Sequence, residues 1–238
     1  MIYTDAHCHI DSPKSIPNEI LGRIYNATHE SDWNTAISIS ENDDDTNFAA
    51  IGIHPWYIAN ISDDWATQMT DILVSHPNLM VGEIGLDKFK PHLPRQIEIF
   101  TIQLEIAARL RRPVHIHCVG AWDKILHVFK THEKSLPPVI IAHAYSGHEN
   151  QIEYLATHYN MYFSYSEESG KNANVRISTT PMNRILTESD AFNSDEEIRA
   201  LDEITHTIAY IHDIDITAAS EQINQNLQRV ISYVRPIN

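Results

Sequence analysis

The sequence predicts an α/β fold: a single (β/α)8 barrel that occupies residues 1–238 as one domain. Eight short segments with strand character alternate with segments that are mostly helical, and no linker or low-complexity tract interrupts them. Such alternation is typical of parallel strands joined by crossover helices, and eight strands close a barrel. The alternative is an open, doubly wound sheet, which would need a glycine-rich phosphate loop. The sequence has 7 glycines and contains no such loop.

The first half of the chain is predicted to supply four strands. Residues 2–9 are too short and too rich in strand formers to favour a helix, and residues 35–40 (TAISIS) alternate polar and apolar side chains. The third strand ends before Pro55, which cannot donate a ladder hydrogen bond. The predicted elements are strands at 2–9, 35–40, 48–53 and 79–86, helices at 18–29 and 62–76 (capped by Ser62), and polar loops at 11–17 and 42–47.

The second half of the chain repeats the alternation. The helix predicted at 94–111 has an apolar stripe with helical spacing that includes Phe100, Leu104 and Ala108. The other predicted elements are strands at 113–118, 139–145, 161–166 and 184–190, and helices at 121–132, 150–158, 195–211 and 217–233.

The composition is acidic, since 17 Lys and Arg oppose 32 Asp and Glu for a formal net charge of −15. This balance disfavours broad nucleic-acid binding, whose affinity comes mainly from phosphate neutralisation, although bound cations or a local basic cluster can offset it. No apolar stretch approaches a membrane span, and no secretory leader is visible. Cys8 and Cys118 each adjoin a histidine, which does not indicate a disulfide framework. We therefore expect a cytoplasmic protein with no membrane contact and no obligate protein partner.

The first strand carries the first sign of chemistry. Asp5, His7 and His9 are two residues apart, so a regular strand would point all three the same way. Two imidazoles and a carboxylate at one strand end are suitable ligands for a borderline divalent cation. The alternative is an edge strand with these side chains in water.

Other candidate ligands lie near the carboxyl ends of the predicted strands. In a barrel these ends meet on one face, where active sites are found. The complete set is Asp5, His7, His9, Glu41, His54, Glu83, His117, His143, Ser164 and Asp190. Such a set can hold one or two divalent cations, which lower the pKa of a bound water to about 7 and polarise phosphoryl or carbonyl oxygens.

Single members of the set have simpler explanations. His115 and His117 share a face, and only the strand-end position favours His117. His143 could be a satisfied core histidine, and Asp190 could cap the following helix. Glu83 stands among apolar neighbours, where an unpaired carboxylate would cost several kcal/mol. A cation is therefore its expected partner, although an arginine could serve.

Six motifs together carry a family resemblance. They are Asp5-x-His7-x-His9, Gly52-Ile53-His54-Pro55, Gly82-Glu83-Ile84-Gly85-Leu86-Asp87, Pro113-x-x-x-His117, His143-Ala144-Tyr145-Ser146-Gly147 and Glu188-Ser189-Asp190. In order and spacing the chain resembles the TatD-type metal-dependent deoxyribonucleases of the amidohydrolase superfamily. The similarity runs over about residues 2–234 and includes a closing Asn226-Leu227-x-Arg229.

The resemblance implies two divalent metal ions, with zinc, magnesium and manganese all open. It implies these ligands: His7, His9 and Asp190 at one ion, His117 and His143 at the other, and Glu83 bridging both. Asp190 would also orient or deprotonate the attacking water, and His54 would contact the substrate phosphate. The implied reaction is exonuclease-like hydrolysis of DNA phosphodiester bonds by a metal-activated water.

Two departures from the family pattern weaken the DNA assignment. Val119 stands where the family usually has an arginine, a phosphate-binding donor. Phe192 stands where the closing motif usually has proline. The alternative is therefore a metal-dependent hydrolase of a small-molecule phosphate, ester or amide. A third hypothesis, a binding protein without catalysis, is disfavoured because all six ligand-type residues are present.

Basic and aromatic residues near the same strand ends could guide a nucleic-acid strand. The basic candidates are Lys88, Lys90 and Lys171, which could equally be solvated surface. The aromatic candidates for base stacking are Trp56, Tyr57, Trp122 and Tyr145, which could equally be rim packing.

Overall fold

A computed structural model describes residues 1–10, 17–41, 46–167, 169 and 172–234. Most of the predicted loop at 11–17, the first four residues of the loop at 42–47, and Lys171 lie outside these residues. No helix among the described residues combines the length and apolar character needed to cross a bilayer.

The described residues form eight strands that alternate with helices. The strands are β1 (Tyr3–Cys8), β2 (Ile20–Asn26), β3 (Asn47–Ile51), β4 (Met80–Asp87), β5 (Val114–Val119), β6 (Ile140–Ala142), β7 (Met161–Tyr165) and β8 (Ile185–Thr187). The α-helices are α1 (Trp33–Glu41), α2 (Trp65–Ser75), α3 (Leu93–Leu110), α4 (Trp122–Thr131), α5 (Ile152–His158), α6 (Ala173–Thr179), α7 (Ser194–His212) and α8 (Ile216–Ile231). Short 3-10 helices cover Glu30–Asp32, Ile58–Asn60, Glu133–Ser135, Glu149–Gln151 and Met182–Arg184.

The strands form one parallel sheet in consecutive order from β1 to β8. The two end strands meet, since the Thr187 hydroxyl donates to the Thr4 carbonyl at 2.7 Å. Beyond them the Asp190 N–H donates to the His7 carbonyl at 3.0 Å, and the His9 N–H to the Ala191 carbonyl at 2.8 Å. The (β/α)8 prediction is confirmed. The doubly wound alternative is excluded because its strand order would reverse at a switch point.

Two adjacent predictions in the first half are wrong. Residues 18–29, predicted as a helix, contain β2, and residues 35–40, predicted as a strand, belong to α1. The polar–apolar alternation of TAISIS coincides with a helical stripe in which Trp33, Ala36 and Ile39 are buried. The two errors exchange one strand for another, so the predicted number of strands is unchanged.

The corrected elements also remove Glu41 from the set of site candidates. Glu41 ends α1, is exposed, and pairs with His76 at 3.5 Å. A residue at the end of an outer helix cannot join the side chains at the carboxyl ends of the strands. Similarly, Ser62 does not cap α2, which begins at Trp65. Its hydroxyl donates to Glu30 instead.

Two buried glutamines of α3 fix the backbone where β3 and β4 leave the barrel. Gln103 accepts from the Ile53 N–H at 2.7 Å and donates to the Ile53 carbonyl at 3.1 Å. Gln96 makes the same pair of bonds to Asp87, at 2.8 and 3.0 Å. Each side-chain amide thus supplies the two hydrogen bonds that a neighbouring strand would make where the ladder ends. These bonds fix the segments that carry His54 and Glu83.

Candidate metal centre

Glu83 on β4 lies at the centre of the predicted site, with a side chain only 4% exposed. Its Oε2 lies 3.4 Å from Nε2 of His7 and 3.7 Å from Nε2 of His9. Asp190 faces the same two rings, with Oδ1 at 3.8 Å from His7 Nε2 and 3.2 Å from His9 Nε2. These four side chains form one half of the cluster.

The other carboxylate oxygen of Glu83 faces the second half. Oε1 lies 3.0 Å from Nδ1 of His117 and 3.9 Å from Nε2 of His143. It also lies 3.4 Å from Nε2 of His54. The structure therefore brings together the six predicted metal ligands and His54, with one oxygen of Glu83 toward each pair of histidines.

Asp5 does not join this cluster, so the expectation that it points the same way as His7 and His9 is wrong. The register of β1 is irregular between Asp5 and Cys8, which breaks the strict alternation of a regular strand. Asp5 is fully buried and accepts from the His7 N–H at 3.0 Å. It also accepts from the N–H and hydroxyl of Ser189, at 3.1 and 2.5 Å. Its role is to tie β1 to the segment that carries Asp190.

Of the two β5 histidines, His117 is the one beside Glu83. His115 is fully buried and lies deeper, with its ring centroid 6.0 Å from that of His7. Burial lowers the pKa of His115 well below its usual value, so that ring is neutral. The strand-end position of His117 was the sequence argument that preferred it.

Gly85 explains how β4 and β5 come close enough to place Glu83 beside His117. Its φ is 151°, and a Cβ at this position would lie 1.9 Å from the His117 carbonyl oxygen. Only glycine can occupy such a position. The second glycine of the Gly-Glu-Ile-Gly motif thus has a steric role in building the site.

The hydrogen bonds of the ring nitrogens determine which imidazoles can bind a cation. Nδ1 of His9 lies 2.9 Å from the Asn26 carbonyl, and Nδ1 of His143 lies 3.0 Å from Glu188. Both Nδ1 atoms face acceptors, so in the neutral form of each ring the proton lies on Nδ1 and the Nε2 lone pair faces the cluster. His54 has the opposite tautomer, because its Nδ1 accepts a hydrogen bond from the Trp56 backbone N–H at 3.2 Å. Neutral His54 therefore presents an Nε2–H donor.

The electrostatics of the cluster favour a cation. Burial alone would raise the pKa of Glu83, but His54, His7 and His117 outweigh it and hold that pKa well below its usual range. Burial alone would also raise the pKa of Asp190. The hydrogen bond with His9 leads the histidine interactions that instead lower this pKa to about 2. Burial lowers the pKa of His7 and of His54. Two ionised carboxylates thus stand beside His7 and His54, which are neutral. Burial alone would also lower the pKa of His9, but Asp190 and Glu83 outweigh it and raise that pKa.

The residues present fit a divalent cation. Nε2 of His7 is buried and has no hydrogen-bond partner, which is costly unless another ligand satisfies it. Imidazole nitrogens and carboxylate oxygens are the donors that zinc and manganese accept. Three overlapping groups of possible ligand atoms occur here: His7, His143 and Asp190; His7, His9 and Glu83; and His54, Glu83 and His117.

Glu188 is a candidate functional residue that the sequence analysis did not single out. It is fully buried and accepts from the Ala144 N–H at 2.9 Å and from the Ser164 hydroxyl, besides contacting Nδ1 of His143 at 3.0 Å. Burial alone would lower the pKa of His143, but Glu188 leads the carboxylates that raise it to about 10. The available signal was an acidic residue two positions before Asp190 at the end of an apolar strand.

We expect Glu188→Gln to weaken divalent-cation binding by about 10- to 100-fold, as loss of a carboxylate behind a histidine ligand generally does. A glutamine would present an amide N–H to one of the three donors that now meet the carboxylate. Isothermal titration with Zn²⁺ and Mn²⁺ measures the change. The matched control is Glu133→Gln, in an exposed pair with His158 at 2.7 Å. Equal affinities for the two variants would contradict the assigned role of Glu188.

The site opens into a cavity of about 280 Å³ lined by aromatic side chains. Trp56, Tyr57 and Phe192 lie on its rim and are exposed. Trp122 and Tyr145 are buried against one another, with ring centroids 4.9 Å apart, so they cannot stack on a base. The prediction that Trp122 and Tyr145 stack on bases is therefore wrong, because both rings belong to the core around α4.

The comparison with protein families matches residues 4–232 to the model of TatD-related DNases. Among curated proteins, the chain is 31% identical over 166 residues to the uncharacterized metal-dependent hydrolase YjjV of Escherichia coli K12, covering 63% of each chain. It is 27% identical over 218 residues to the human 3'-5' RNA nuclease TATDN2, covering 79% of this chain and 28% of that protein.

A 3'-5' ssDNA/RNA exonuclease TatD from Erwinia billingiae is 30% identical over 109 residues, which cover 44% of this chain and 41% of that protein. These matches span less than two thirds of the length of each of the three curated relatives. Among solved structures, Escherichia coli YjjV superposes with a TM-score of 0.81 at 24% identity, over 96% of this chain and 97% of that one. That likeness supports the barrel fold.

Proposed function

The chain belongs to the family of TatD-related DNases, and from this premise we propose that it hydrolyses phosphodiester bonds at the ends of single-stranded nucleic acid. The observation that carries the proposal is the position of Glu83, with one carboxylate oxygen toward His7 and His9 and the other toward His117 and His143. Curated relatives named as 3'-5' nucleases support the substrate class.

We assign two divalent cations to this cluster. The proposed ligands are His7, His9 and Asp190 at one ion, His117 and His143 at the other, and Glu83 between them. When bound, such ions polarise the phosphoryl oxygens and lower the pKa of water. His54 is not a proposed ligand, because its Nε2 carries the proton. It would instead donate a hydrogen bond to a non-bridging oxygen of the scissile phosphate.

Asp190 is the proposed partner of the attacking water. Its side chain is 44% exposed, in contrast to the buried Glu83, and it lines the cavity where a substrate would enter. A carboxylate with a pKa of about 2 accepts hydrogen bonds but holds a proton poorly. Asp190 would therefore act mainly by orienting the water, with its Oδ atoms as acceptors during attack on phosphorus.

Two further assignments belong to this proposal. We propose that residues 1–238 are one hydrolase domain, since all eight strands form one barrel. We also propose a cytoplasmic location, which the two free, buried cysteines support.

The test is metal-dependent release of mononucleotides. The purified chain is incubated with single-stranded DNA and RNA labelled at the 5' end, with Mg²⁺, Mn²⁺ or Zn²⁺ in turn. We expect stepwise shortening from the 3' end that a chelator abolishes. Intact oligonucleotides with all three ions would reject the nuclease assignment, and absence of bound metal by elemental analysis would favour a non-catalytic binding protein.

The second candidate is a hydrolase of a small phosphate ester. The small cavity and Val119, in place of the family's arginine, are the observations that favour it. Parallel assays on a panel of nucleoside monophosphates, simple phosphate esters, carboxylic esters and amides distinguish the two candidate functions. Turnover of the panel without oligonucleotide cleavage would establish this alternative.

A further inference from the structure

Phe192 is an exposed aromatic residue in an unusual position. It lies two residues after Asp190 and is 73% exposed. Its ring nevertheless stacks on His9, with centroids 5.0 Å apart and planes at 25°. One face of the ring is therefore fixed against a proposed metal ligand, while most of the side chain remains open to solvent at the cavity.

A second aromatic residue at the rim of the cavity, Trp56, is also held in place. The indole N–H of Trp56 donates to Asp87 at 2.8 Å, and its ring meets His54 edge to face at 5.3 Å. Nζ of Lys90 lies 4.0 Å from the centroid of the Trp56 ring. The ammonium group of Lys90 thus lies beside the Trp56 ring.

The cavity that these rings line is small and opens to solvent. Its volume of about 280 Å³ lies at the small end of ligand sites, which span about 300–1,000 Å³. Trp56 and Phe192 both line it and are exposed, so a planar group that enters the cavity can contact their rings.

We propose that Phe192 is a stacking platform for the terminal base of a single-stranded substrate. The inference rests on the proposed function, because the reacting phosphate must lie by Asp190 and His54 for the adjoining base to reach Phe192. Aromatic side chains bind every base through its π-face, so the platform selects for a base without selecting its identity. Lys90 would meet the next phosphate along the strand, in part replacing the arginine absent at Val119.

The test compares substrates with and without the terminal base. Oligonucleotides that end in a normal nucleotide or in an abasic residue are assayed with the wild-type protein, Phe192→Ala and Phe192→Tyr. We expect Phe192→Ala to raise KM for the normal substrate about tenfold and to leave KM for the abasic substrate unchanged. Phe192→Tyr should behave like the wild type. The matched control is Tyr210→Ala, which removes a ring that is 87% exposed on α7.

A binding readout separates this inference from the proposed function. An oligonucleotide with 2-aminopurine at its 3' end is mixed rapidly with protein loaded with Mn²⁺, and stacking on Phe192 quenches the fluorescence before the terminal residue is released. If no oligonucleotide is cleaved but quenching occurs and is lost in Phe192→Ala, the proposed function fails and the platform stands. Quenching that survives in Phe192→Ala, or equal KM changes for normal and abasic substrates, would overturn the platform. Loss of metal affinity in Phe192→Ala would assign the ring to orienting His9 and would also overturn it.

Discussion

Asp190→Asn is expected to lower kcat for oligonucleotide hydrolysis by about 10²–10⁴-fold without unfolding the protein. Asparagine keeps the shape of the side chain but loses the charge and one acceptor oxygen toward the attacking water. The fold should persist because asparagine tolerates the left-handed backbone of this position, where φ is 53°. The backbone hydrogen bond from residue 190 to the His7 carbonyl is also retained.

A matched control is available elsewhere in the chain. Asp213 ends α7 in the same left-handed conformation, with φ of 52°, and is exposed. Asp213→Asn should retain full activity, and both variants should show the wild-type far-UV circular dichroism and thermal midpoint. If kcat of Asp190→Asn stays within tenfold of the wild type, Asp190 does not orient the water.

Glu83→Gln is expected to reduce the metal content most strongly. Each of the two Glu83 carboxylate oxygens now faces a separate pair of histidines. A neutral glutamine amide would offer an oxygen to only one of these pairs. Its N–H groups would point at ring nitrogens that should carry lone pairs. We expect the stoichiometry to fall from two ions to one or none and the affinity to fall by more than about 100-fold, beyond the effect of losing an outer carboxylate.

Titration with Mn²⁺ followed by elemental analysis measures the metal content. Glu197→Gln is the control for loss of a buried carboxylate, because Glu197 is fully buried and pairs with Arg23 at 3.4 Å. This control should lose stability and keep its metal. Two ions bound to Glu83→Gln with wild-type affinity would rule out the bridging assignment.

The site was more predictable than some of the elements around it. His7, His9, Glu83, His117, His143 and Asp190 were selected by residue type and by position at a strand end, and the structure brings all of them together. Glu41 failed the same criterion because its element was misassigned. A six-residue alternation cannot distinguish a strand from a helical stripe when tertiary packing decides which one is buried.

Local periodicity also failed at Asp5, where an irregular register turns the side chain toward Ser189. The sequence contains no signal for that irregularity, because it depends on how β1 meets β2 and the segment after β8. Glu188 was overlooked as an individual residue for a related reason. Its importance depends on Ser164 and His143, which only the closed sheet brings to it.

By itself, the sequence determined the number of strands, the barrel and the six proposed metal ligands, because these depend on local periodicity, on residue type at strand ends and on the order of the family motifs. Only the tertiary structure decided which nitrogen of each histidine faces Glu83, that His54 presents a donor, and that Phe192 lies against His9. These features depend on hydrogen bonds and ring contacts between segments far apart in the chain. Their geometry is fixed only when the eight strands pair in register.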